Sequence, residues 1–377
     1  MKIIFIIPLF LLSLSCTKVF PEPYDPFEDP RNISRNIGCS VGSGIALDPT
    51  RDLSYVIWLD MEERADWEFK LFYRERRNGI WSKIDTLFHK TDSVWYDASE
   101  IVCDSKGILH LVYTEEEKIL YRMRINDEWT EPETLSNPNE IALIPQLCID
   151  KNDNLYLIFE ESPKGATFRK REGGVWSEKS YPPQRGDFDM FVEDNGNIHL
   201  AMDTDDQITY VFSRDGVNWK DEIILLNDTI YYNLCSTVGV CFGKVYVVWV
   251  RSYGGFIRGL YMRVKDTLTG KWSDIERLGI AGGTGRAPYL PKFVKGDDGY
   301  LYLGWIERVG ANDEVLISRM VNDRVWDKVV NISNTPMHSK FYSFIVKDGI
   351  IHIAWWEGID DSRWKDEWDI FYDEIQY

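Results

Sequence analysis

The sequence predicts an all-β protein, a seven-bladed β-propeller closed by an N-terminal strand that completes the last blade. Three observations support this fold: a unit of alternating apolar residues that recurs seven times, a tryptophan after a tight turn in six of those units, and an N-terminal segment that matches the strand missing from the seventh unit. Repeats of roughly 40 to 50 residues built from short strands are typical of propellers, whose blades pack both faces against their neighbours.

Each unit has a first strand that enters a turn, an alternating second strand that ends in a large side chain, and a third strand followed by a tight turn and a tryptophan. The second strands end in Trp58, Tyr113, Phe159, Met202, Trp249, Trp305 and Trp355. The tryptophans after the turn are Trp81, Trp129, Trp176, Trp219, Trp272 and Trp326, at intervals of 48, 47, 43, 53 and 54 residues. Large aromatic side chains at fixed positions suit the interfaces between wedge-shaped blades.

The seventh unit ends at Tyr377, after its third strand and before any tryptophan. Residues 27–34 align without gaps on residues 326–333, the fourth strand of the sixth unit, and both segments end in Asn-Ile-Ser. We therefore predict that residues 27–35 form the outer strand of the last blade. Such closure removes the open strand edges that promote aggregation.

Composition excludes several other classes. The 377 residues include 15 Trp, 20 Tyr and 18 Phe, which is too aromatic for a disordered chain, a collagen or a coiled coil. The formal net charge of −18 is unfavourable for contact with phosphate backbones, so nucleic acid is not a predicted partner. Five irregularly spaced cysteines after Cys16 show neither a disulfide framework nor zinc-site spacing, and no cofactor or metal is predicted.

The N-terminus has the pattern of a secretory signal. Lys2 is followed by an apolar run over residues 3–12, which is too short to span a bilayer permanently. The segment that ends in Leu14-Ser15-Cys16 resembles a bacterial lipoprotein signal, and this resemblance implies that Cys16 becomes the lipidated first residue. An ordinary cleaved signal is the alternative. The predicted organisation is a signal peptide over 1–15, a proline-containing tether over 16–26 and a single propeller over 27–377.

Two rings of side chains are expected on the face that carries the loops between second and third strands. One lies two residues beyond the large side chain of each second strand: Asp60, Glu115, Glu161, Thr204, Arg251, Glu307 and Glu357. Because one active site does not need five equivalent carboxylates, we interpret this ring as capping the sheets or binding loop amides. Thr204 and Arg251 are its exceptions. Likewise His110, His199 and His352 recur at one place in the second strand and are predicted to be structural.

The second ring, at the start of each innermost strand, faces the central funnel and varies from blade to blade, as a site for an asymmetric ligand requires. Its candidate acid or base groups, together with one from the first ring, are Asp97, Asp187, Asp189, Glu307, Tyr342 and His338. Its candidate substrate-binding groups, again with one from the first ring, are Arg251, Arg286, Tyr289, Lys340 and Tyr232. A solvated acidic rim is the alternative interpretation.

Long connections between second and third strands occur in blades five, six, seven and one, which adjoin one another in a closed ring. They predict a wall along one side of the funnel mouth and therefore a cleft. This wall carries Trp67, Trp364 and Trp368, which would either stack on sugar rings or pack within the loops.

Two segments resemble sialidase propellers. The segment from Ser213 to Trp219, with Asp215 and Gly216, resembles the Asp-box turn, whose role is structural. Arg286-Ala287-Pro288 resembles the Arg-Ile-Pro segment of sialidases, whose arginine binds the substrate carboxylate; this resemblance implies an anion-binding role for Arg286.

The functional prediction is a surface-anchored lipoprotein of a Gram-negative envelope, outer-membrane, periplasmic or surface-exposed, that acts on or binds an acidic glycan. The activity would be of the glycoside hydrolase or polysaccharide lyase type. Two alternatives remain open at this stage: a carbohydrate-binding propeller without catalysis, and a scaffold for an envelope protein partner.

Overall fold

The computed structural model describes residues 25–26, 28–35, 39–61, 69–89, 99–183, 186–204, 207–225, 232–253, 256–281, 288–358 and 368–377. These residues form 29 strands in seven antiparallel sheets, and none of them is helical. The described part of the chain accordingly has no helix of the length and apolarity needed to cross a membrane. Each sheet is one blade, and its strands follow one another outward in chain order.

The first three blades carry fourteen strands. Blade one contains β1 (Cys39–Leu47), β2 (Leu53–Met61), β3 (Phe69–Arg77), β4 (Ile80–Trp81) and β5 (Asp85–His89). Blade two contains β6 (Ser99–Cys103), β7 (Leu109–Glu115), β8 (Lys118–Ile125), β9 (Glu128–Trp129) and β10 (Glu133–Thr134). Blade three contains β11 (Ala142–Ile149), β12 (Leu155–Glu161), β13 (Gly165–Glu172) and β14 (Val175–Trp176).

The remaining four blades carry fifteen strands. Blade four contains β15 (Asp187–Val192), β16 (Ile198–Thr204), β17 (Gln207–Ser213) and β18 (Trp219–Leu225). Blade five contains β19 (Tyr232–Cys241), β20 (Lys244–Tyr253), β21 (Phe256–Asp266) and β22 (Glu276–Arg277). Blade six contains β23 (Tyr289–Lys295), β24 (Leu301–Val309), β25 (Asn312–Asn322) and β26 (Val325–Asn331). Blade seven contains β27 (His338–Lys347), β28 (Ile350–Gly358) and β29 (Trp368–Gln376).

The seven blades form a closed ring. Every innermost strand, from β1 to β27, contacts the innermost strand of the next blade, and β27 returns to β1. The large side chains that end the second strands are all buried at the blade interfaces, with Trp58, Trp249, Trp305 and Trp355 fully inaccessible. The predicted seven-bladed propeller is therefore confirmed.

Five of the six outer-strand tryptophans pack edge-on against an aromatic ring in the third strand of the preceding blade, and the sixth, Trp326, stacks on Phe293 of its own blade. The ring-centroid distances are 4.9 Å for Trp81–Tyr372, 6.2 Å for Trp129–Tyr73, 5.2 Å for Trp176–Tyr121, 5.1 Å for Trp219–Phe168 and 5.5 Å for Trp272–Tyr210. Edge-to-face contacts of this kind add to the energy of burying the rings. The first pair joins blade one to blade seven.

The N-terminal segment completes blade seven. The Ile33 N–H donates to the Ile370 carbonyl (2.8 Å), and the Tyr372 N–H donates to the Arg31 carbonyl (2.8 Å). The closure is confirmed, but the pairing is a single bridge between Asn32 and Phe371 instead of a full strand. The pairing is short because the preceding residues form turns, in which the Asp29 N–H donates to the Pro26 carbonyl (3.3 Å) and the Asn32 N–H donates to the Asp29 carbonyl (3.1 Å). The Ile370 N–H is accepted by the Ser34 hydroxyl (2.9 Å), as the Val315 N–H is accepted by the Ser333 hydroxyl in blade six.

The three second-strand histidines are buried or half-buried and each contacts a tyrosine hydroxyl in its own blade. The Nδ1–Oη distances are 2.7 Å for His110–Tyr121, 2.8 Å for His199–Tyr210 and 3.0 Å for His352–Tyr372. Burial lowers the pKa of His110 and of His352, which favours their neutral forms. These contacts fit the structural role predicted for the three residues.

Candidate functional site

A cavity of about 280 Å³ lies at the centre of the ring, and all seven innermost strands contribute to its lining. The lining comes from the first half of these strands and from Glu160, near the end of a second strand. This is the funnel face predicted from the sequence. The volume lies close to the lower end of the range of small-molecule sites, which is about 300 Å³.

The funnel wall is shaped by a bulge that recurs in five of the seven innermost strands. The pairing register shifts there, and the bulged residues have positive φ: Gly42 (60°), Ile144 (54°), Cys235 (52°), Leu290 (49°) and Phe341 (32°). All five line the cavity. Positive φ is strained for a β-branched residue such as Ile144, and bulges and strained residues of this kind are concentrated at functional sites.

Asp189 is a half-buried carboxyl group in the funnel. Its Oδ2 accepts hydrogen bonds from the Thr237 hydroxyl (2.8 Å) and the Val238 N–H (3.1 Å), both on β19 of the next blade. Burial raises the pKa of Asp189, although these hydrogen bonds and the positive charge of Lys292 oppose the shift. Asp189 therefore keeps a proton to higher pH than an ordinary aspartate and can act as a proton donor.

Asp187 is two residues earlier on β15 and is exposed at the funnel mouth. The preceding Gly186 has a φ of 124°, and a Cβ atom there would collide with the Asp203 carbonyl oxygen, so only glycine fits. Asp187 pairs in register with Asp203 on β16. Burial, and to a smaller extent the charge of Asp187, raises the pKa of Asp203 to about 6.

Two neutral side chains connect adjacent blades at the funnel. The Tyr342 hydroxyl on β27 donates to the Leu290 carbonyl on β23 (2.8 Å), and burial raises the pKa of Tyr342 well above its ordinary value. The Gln146 amide on β11 donates to the Phe188 carbonyl (2.8 Å) and accepts from the Met190 N–H (3.0 Å) on β15. Tyr342 is thus placed in the funnel as predicted, but as a neutral hydrogen-bonding group.

Of the other predicted residues, two come together outside the funnel lining. The Tyr289 hydroxyl donates to Asp313 Oδ2 (3.5 Å), and His338 Nδ1 accepts the Asp313 N–H (3.2 Å). Glu307 is buried and accepts the Trp305 indole N–H (2.9 Å), and it also lies outside that lining.

Lys340 on β27 and Trp368 at the start of β29 form a buried pair. The Lys340 ammonium group lies 4.9 Å from the centre of the Trp368 indole ring, and only 3% of Trp368 is exposed. Of the two arrangements that the sequence left open for Trp368, the structure shows the packed one. Arg251 lies with its guanidinium group 5.1 Å above the Tyr261 ring, away from the funnel lining.

Several predicted positions lie outside the described residues. They are Cys16, Trp67, Asp97, Arg286 and Trp364, together with the side chain of Tyr232, whose backbone begins β19. In blades five and six the predicted long connections are extensions of the strands: β24 and β25 continue to Val309 and Asn312, so that only residues 310 and 311 separate them.

Three of the carboxylates at the ends of the second strands accept hydrogen bonds of the kind that their repetition indicated. Glu161 Oε1 accepts the Asn137 N–H (2.6 Å), and Asp60 Oδ2 accepts the Ser40 hydroxyl (2.7 Å). Glu357 accepts the Trp355 indole N–H (2.6 Å) and two hydroxyl groups, from Ser339 (2.8 Å) and Thr335. Such bonds satisfy polar groups at the ends of the sheets.

Glu357 should make stability depend on pH. Its pKa is raised from 4.5 to about 7, chiefly by burial and also by the nearby Glu314. The folded state therefore binds more protons than the unfolded state between pH 4.5 and 7, and the stability that Glu357 contributes is lost as the pH rises through this window. The loss is on the order of 3 kcal/mol at 1.36 kcal/mol per pKa unit.

Glu357→Gln, which mimics the protonated carboxyl group, tests this prediction. The variant should gain stability relative to the parent protein as the pH rises from 5 to 8, as measured by urea unfolding at each pH. A difference between the two proteins that stays constant with pH would contradict the raised pKa.

Sequence reasoning missed several residues of the funnel lining: Glu100, Gln146, Glu160, Ser236 and Lys292. Ser236 directly follows the bulged residue of its strand, and Gln146 and Lys292 each lie two residues beyond it. A bulge adds a residue to one strand, so it reverses which later side chains face inward. Among the described residues, no group of three or more His, Cys, Asp or Glu side chains is placed to hold a metal ion.

No protein-family model matches the chain, and no curated protein matches it. The chain does match solved structures. The chain is similar to the polysaccharide lyase Uly1, with a TM-score of 0.59 and 9% identity over 89% of this chain and 90% of that chain. It is also similar to a protein of unknown function from Dyadobacter fermentans, with a TM-score of 0.53 and 11% identity over 90% of this chain and 95% of that one.

A variant of the NanB sialidase from Streptococcus pneumoniae matches with a TM-score of 0.49 and 10% identity, over 92% of this chain and 69% of that chain. At such low identities, the similarities to the polysaccharide lyase and to the Dyadobacter protein establish the propeller fold alone.

Proposed function

We propose that this chain binds a glycan in the central funnel and cleaves it there, with Asp189 as proton donor and Asp187 as base. The observation that supports this proposal is the convergence of carboxyl and ammonium groups from four blades on one cavity. Cavities that combine apolar walls with a few converging polar groups and a perturbed pKa are characteristic of active sites. The funnel combines Phe188, Leu290 and Phe341 with such groups.

The positions of the two aspartates suit acid–base chemistry. Residues i and i+2 of a strand lie on the same side of the sheet, with Cα atoms about 6.6 Å apart. Glycoside hydrolysis needs one protonated carboxyl group and one carboxylate, separated by about 5 to 10 Å. Asp189 would donate its proton to the glycosidic oxygen as that bond breaks, and the exposed Asp187 would accept a proton from the attacking water or hold the positive charge that develops on the sugar.

The charge of the funnel lining affects which kind of sugar the funnel can bind. The described lining carries four carboxyl groups, of Glu100, Glu160, Asp187 and Asp189, against the one ammonium group of Lys292. This balance favours a neutral or amino sugar over a strongly anionic one. The acidic glycan that the sequence predicts depends on Arg251, which lies over Tyr261, and on Arg286, which is outside the described residues.

A carbohydrate-binding propeller without catalysis is the second candidate. It is favoured by the two hydrogen bonds that Asp189 accepts from β19, since they would also serve to join blades four and five. In either case we propose that the protein acts at the bacterial envelope, held by a lipid on Cys16. The signal-like pattern of residues 1–16 supports this location.

The test is to incubate the purified protein with neutral, amino-sugar and uronate-containing polysaccharides. New reducing ends would indicate hydrolysis. Because one similar structure is a polysaccharide lyase, the ultraviolet absorbance of unsaturated products should be followed as well. Turnover of any glycan supports the proposal, whereas saturable binding without product supports the second candidate. Absence of both binding and turnover across the panel would contradict both.

A further inference from the structure

A second cavity, of about 540 Å³, lies between blades one and two at the end of the strands opposite the funnel. Its lining includes Arg51 from the turn between β1 and β2, Lys106 from the turn between β6 and β7, and Arg124 from β8. Asp127 is the one acidic residue of the described lining. The cavity is thus rich in cationic groups, although the whole chain carries a net charge of −18.

Tyr55 lines this cavity and is only 1% exposed, yet its hydroxyl forms no hydrogen bond with any described residue. The equivalent tyrosine of blade three differs: the Tyr156 hydroxyl donates to Asp150 (2.9 Å) in the adjacent turn. In blade one the corresponding carboxylate, Asp48, is instead held by the Thr50 hydroxyl and Arg51 Nε, each at 2.7 Å. The Tyr55 hydroxyl is not fully shielded from solvent, so it reaches the cavity, where a ligand can replace water as its partner.

The two arginine side chains around Tyr55 are held in place by ion pairs, and each keeps N–H donors that these pairs do not use. Arg51 uses Nε for Asp48, and its side chain is 44% exposed. Arg124 is 9% exposed and uses Nη1 for both Glu75 (3.2 Å) and Asp127 (3.4 Å). The exposed Lys106 side chain forms no ion pair with a described residue. A guanidinium group has five N–H donors in a fixed plane, so one ion pair leaves others available.

We propose that this cavity binds an oxyanion, the sulfate, phosphate or carboxylate group of a small ligand. The available donors are the Tyr55 hydroxyl, the Lys106 ammonium group and the remaining N–H groups of Arg51 and Arg124. Burial raises the pKa of Tyr55 to about 12, so its hydroxyl stays protonated and can donate at neutral pH. Charge-assisted hydrogen bonds of this kind are roughly twice as strong as neutral ones. The site is separate from the funnel and does not depend on the function proposed for it.

The test is a calorimetric titration of the full chain with inorganic sulfate, inorganic phosphate and a sulfated disaccharide. Millimolar concentrations are low enough to avoid the general stabilising effect of sulfate. We expect saturable binding of one ligand per chain. Binding of the inorganic anions would identify a site for free anions, and binding of the disaccharide alone would identify a site for a sulfated sugar; both outcomes support the proposal.

Four matched variants test whether the anion binds in this cavity. Lys106→Ala should weaken it at least about tenfold, as expected when a charge-assisted hydrogen bond is lost. Tyr55→Phe should weaken it about fivefold without loss of thermal stability, since the hydroxyl has no partner to lose. Tyr156→Phe, in contrast, should lower stability and leave binding unchanged. Lys151→Ala, which removes an exposed lysine from the equivalent turn of blade three, is the charge control.

Two outcomes would overturn the proposal. One is the absence of saturable binding for all three ligands. The other is binding with unchanged affinity in both Lys106→Ala and Tyr55→Phe, which would place the anion elsewhere on the protein.

Discussion

Deletion of residues 17–36 is expected to lower the melting temperature by at least about 10 °C, at roughly 2–4 °C per kcal/mol for a large domain. The deletion removes Ile33, which is 1% exposed, and the backbone hydrogen bonds to Ile370 and Tyr372. It also removes two donors to the buried Asp369, the Ser34 hydroxyl (2.6 Å) and the Asn32 amide (2.8 Å). Losses of this kind together amount to on the order of 5–10 kcal/mol. Differential scanning calorimetry measures the effect.

Two shorter changes serve as controls for this deletion. Removal of residues 17–24 alone keeps the pairing with β29 and should leave the melting temperature unchanged. Ser34→Ala removes one bond to Asp369 and the acceptor of the Ile370 N–H, so it should give an intermediate decrease. Equal melting temperatures for the parent protein and the 17–36 deletion would show that the segment does not close the ring.

Substitution of either funnel aspartate is expected to reduce glycan turnover at least about 100-fold, the usual lower range for loss of a general acid or base. Asp189→Asn removes the proton donor but keeps an oxygen that can accept the bonds from Thr237 and Val238. Asp187→Asn removes the base at an exposed position, where the fold tolerates an amide. Both effects should appear in kcat more than in KM, since these groups act in the transition state.

The control for the aspartate variants is Glu128→Gln, which neutralises an exposed carboxylate on the outer strand β9 and should keep full activity. Circular dichroism and melting temperature establish that each variant is folded. Full turnover by folded Asp187→Asn and Asp189→Asn would exclude them as acid and base, and would leave the funnel as a binding site at most.

Much of the fold could be predicted from the sequence because each blade interface requires the same large side chains. Trp129 and Trp176 occur where each must pack against a tyrosine of the preceding blade. The interval between them therefore equals the number of residues in one blade. The closure of the ring by the N-terminal segment could be predicted for a similar reason. The Asn-Ile-Ser that precedes Arg35 occupies the same structural position as the one that ends at Ser333.

The funnel itself was less predictable, because its shape depends on bulges that leave no clear trace in the sequence. Glycine at position 42 would allow a positive φ, but Ile144 and Leu290 give no such indication, and isoleucine disfavours it. The sequence therefore placed Tyr289 at the funnel, whereas the cavity lining contains Lys292, which lies beyond the bulge of the same strand.

The burial of Trp368 depended on a packing partner that alternation could not identify, because Lys340 lies on a different strand of blade seven. Likewise, the pairing of His338 with Asp313 joins two blades. Contacts between blades depend on which residues lie close together in the folded protein. Strand periodicity indicates only which side of a sheet a residue faces.

The most direct test of the central claim, that the funnel is the glycan site, is a crystal structure of the Asp189→Asn variant soaked with an oligosaccharide that the parent protein binds. We expect a sugar ring in the funnel, with a glycosidic oxygen within hydrogen-bond distance of residue 189 and an apolar ring face against Phe188 or Phe341. An oligosaccharide bound outside the funnel, with the funnel free of sugar at saturating concentration, would contradict the claim.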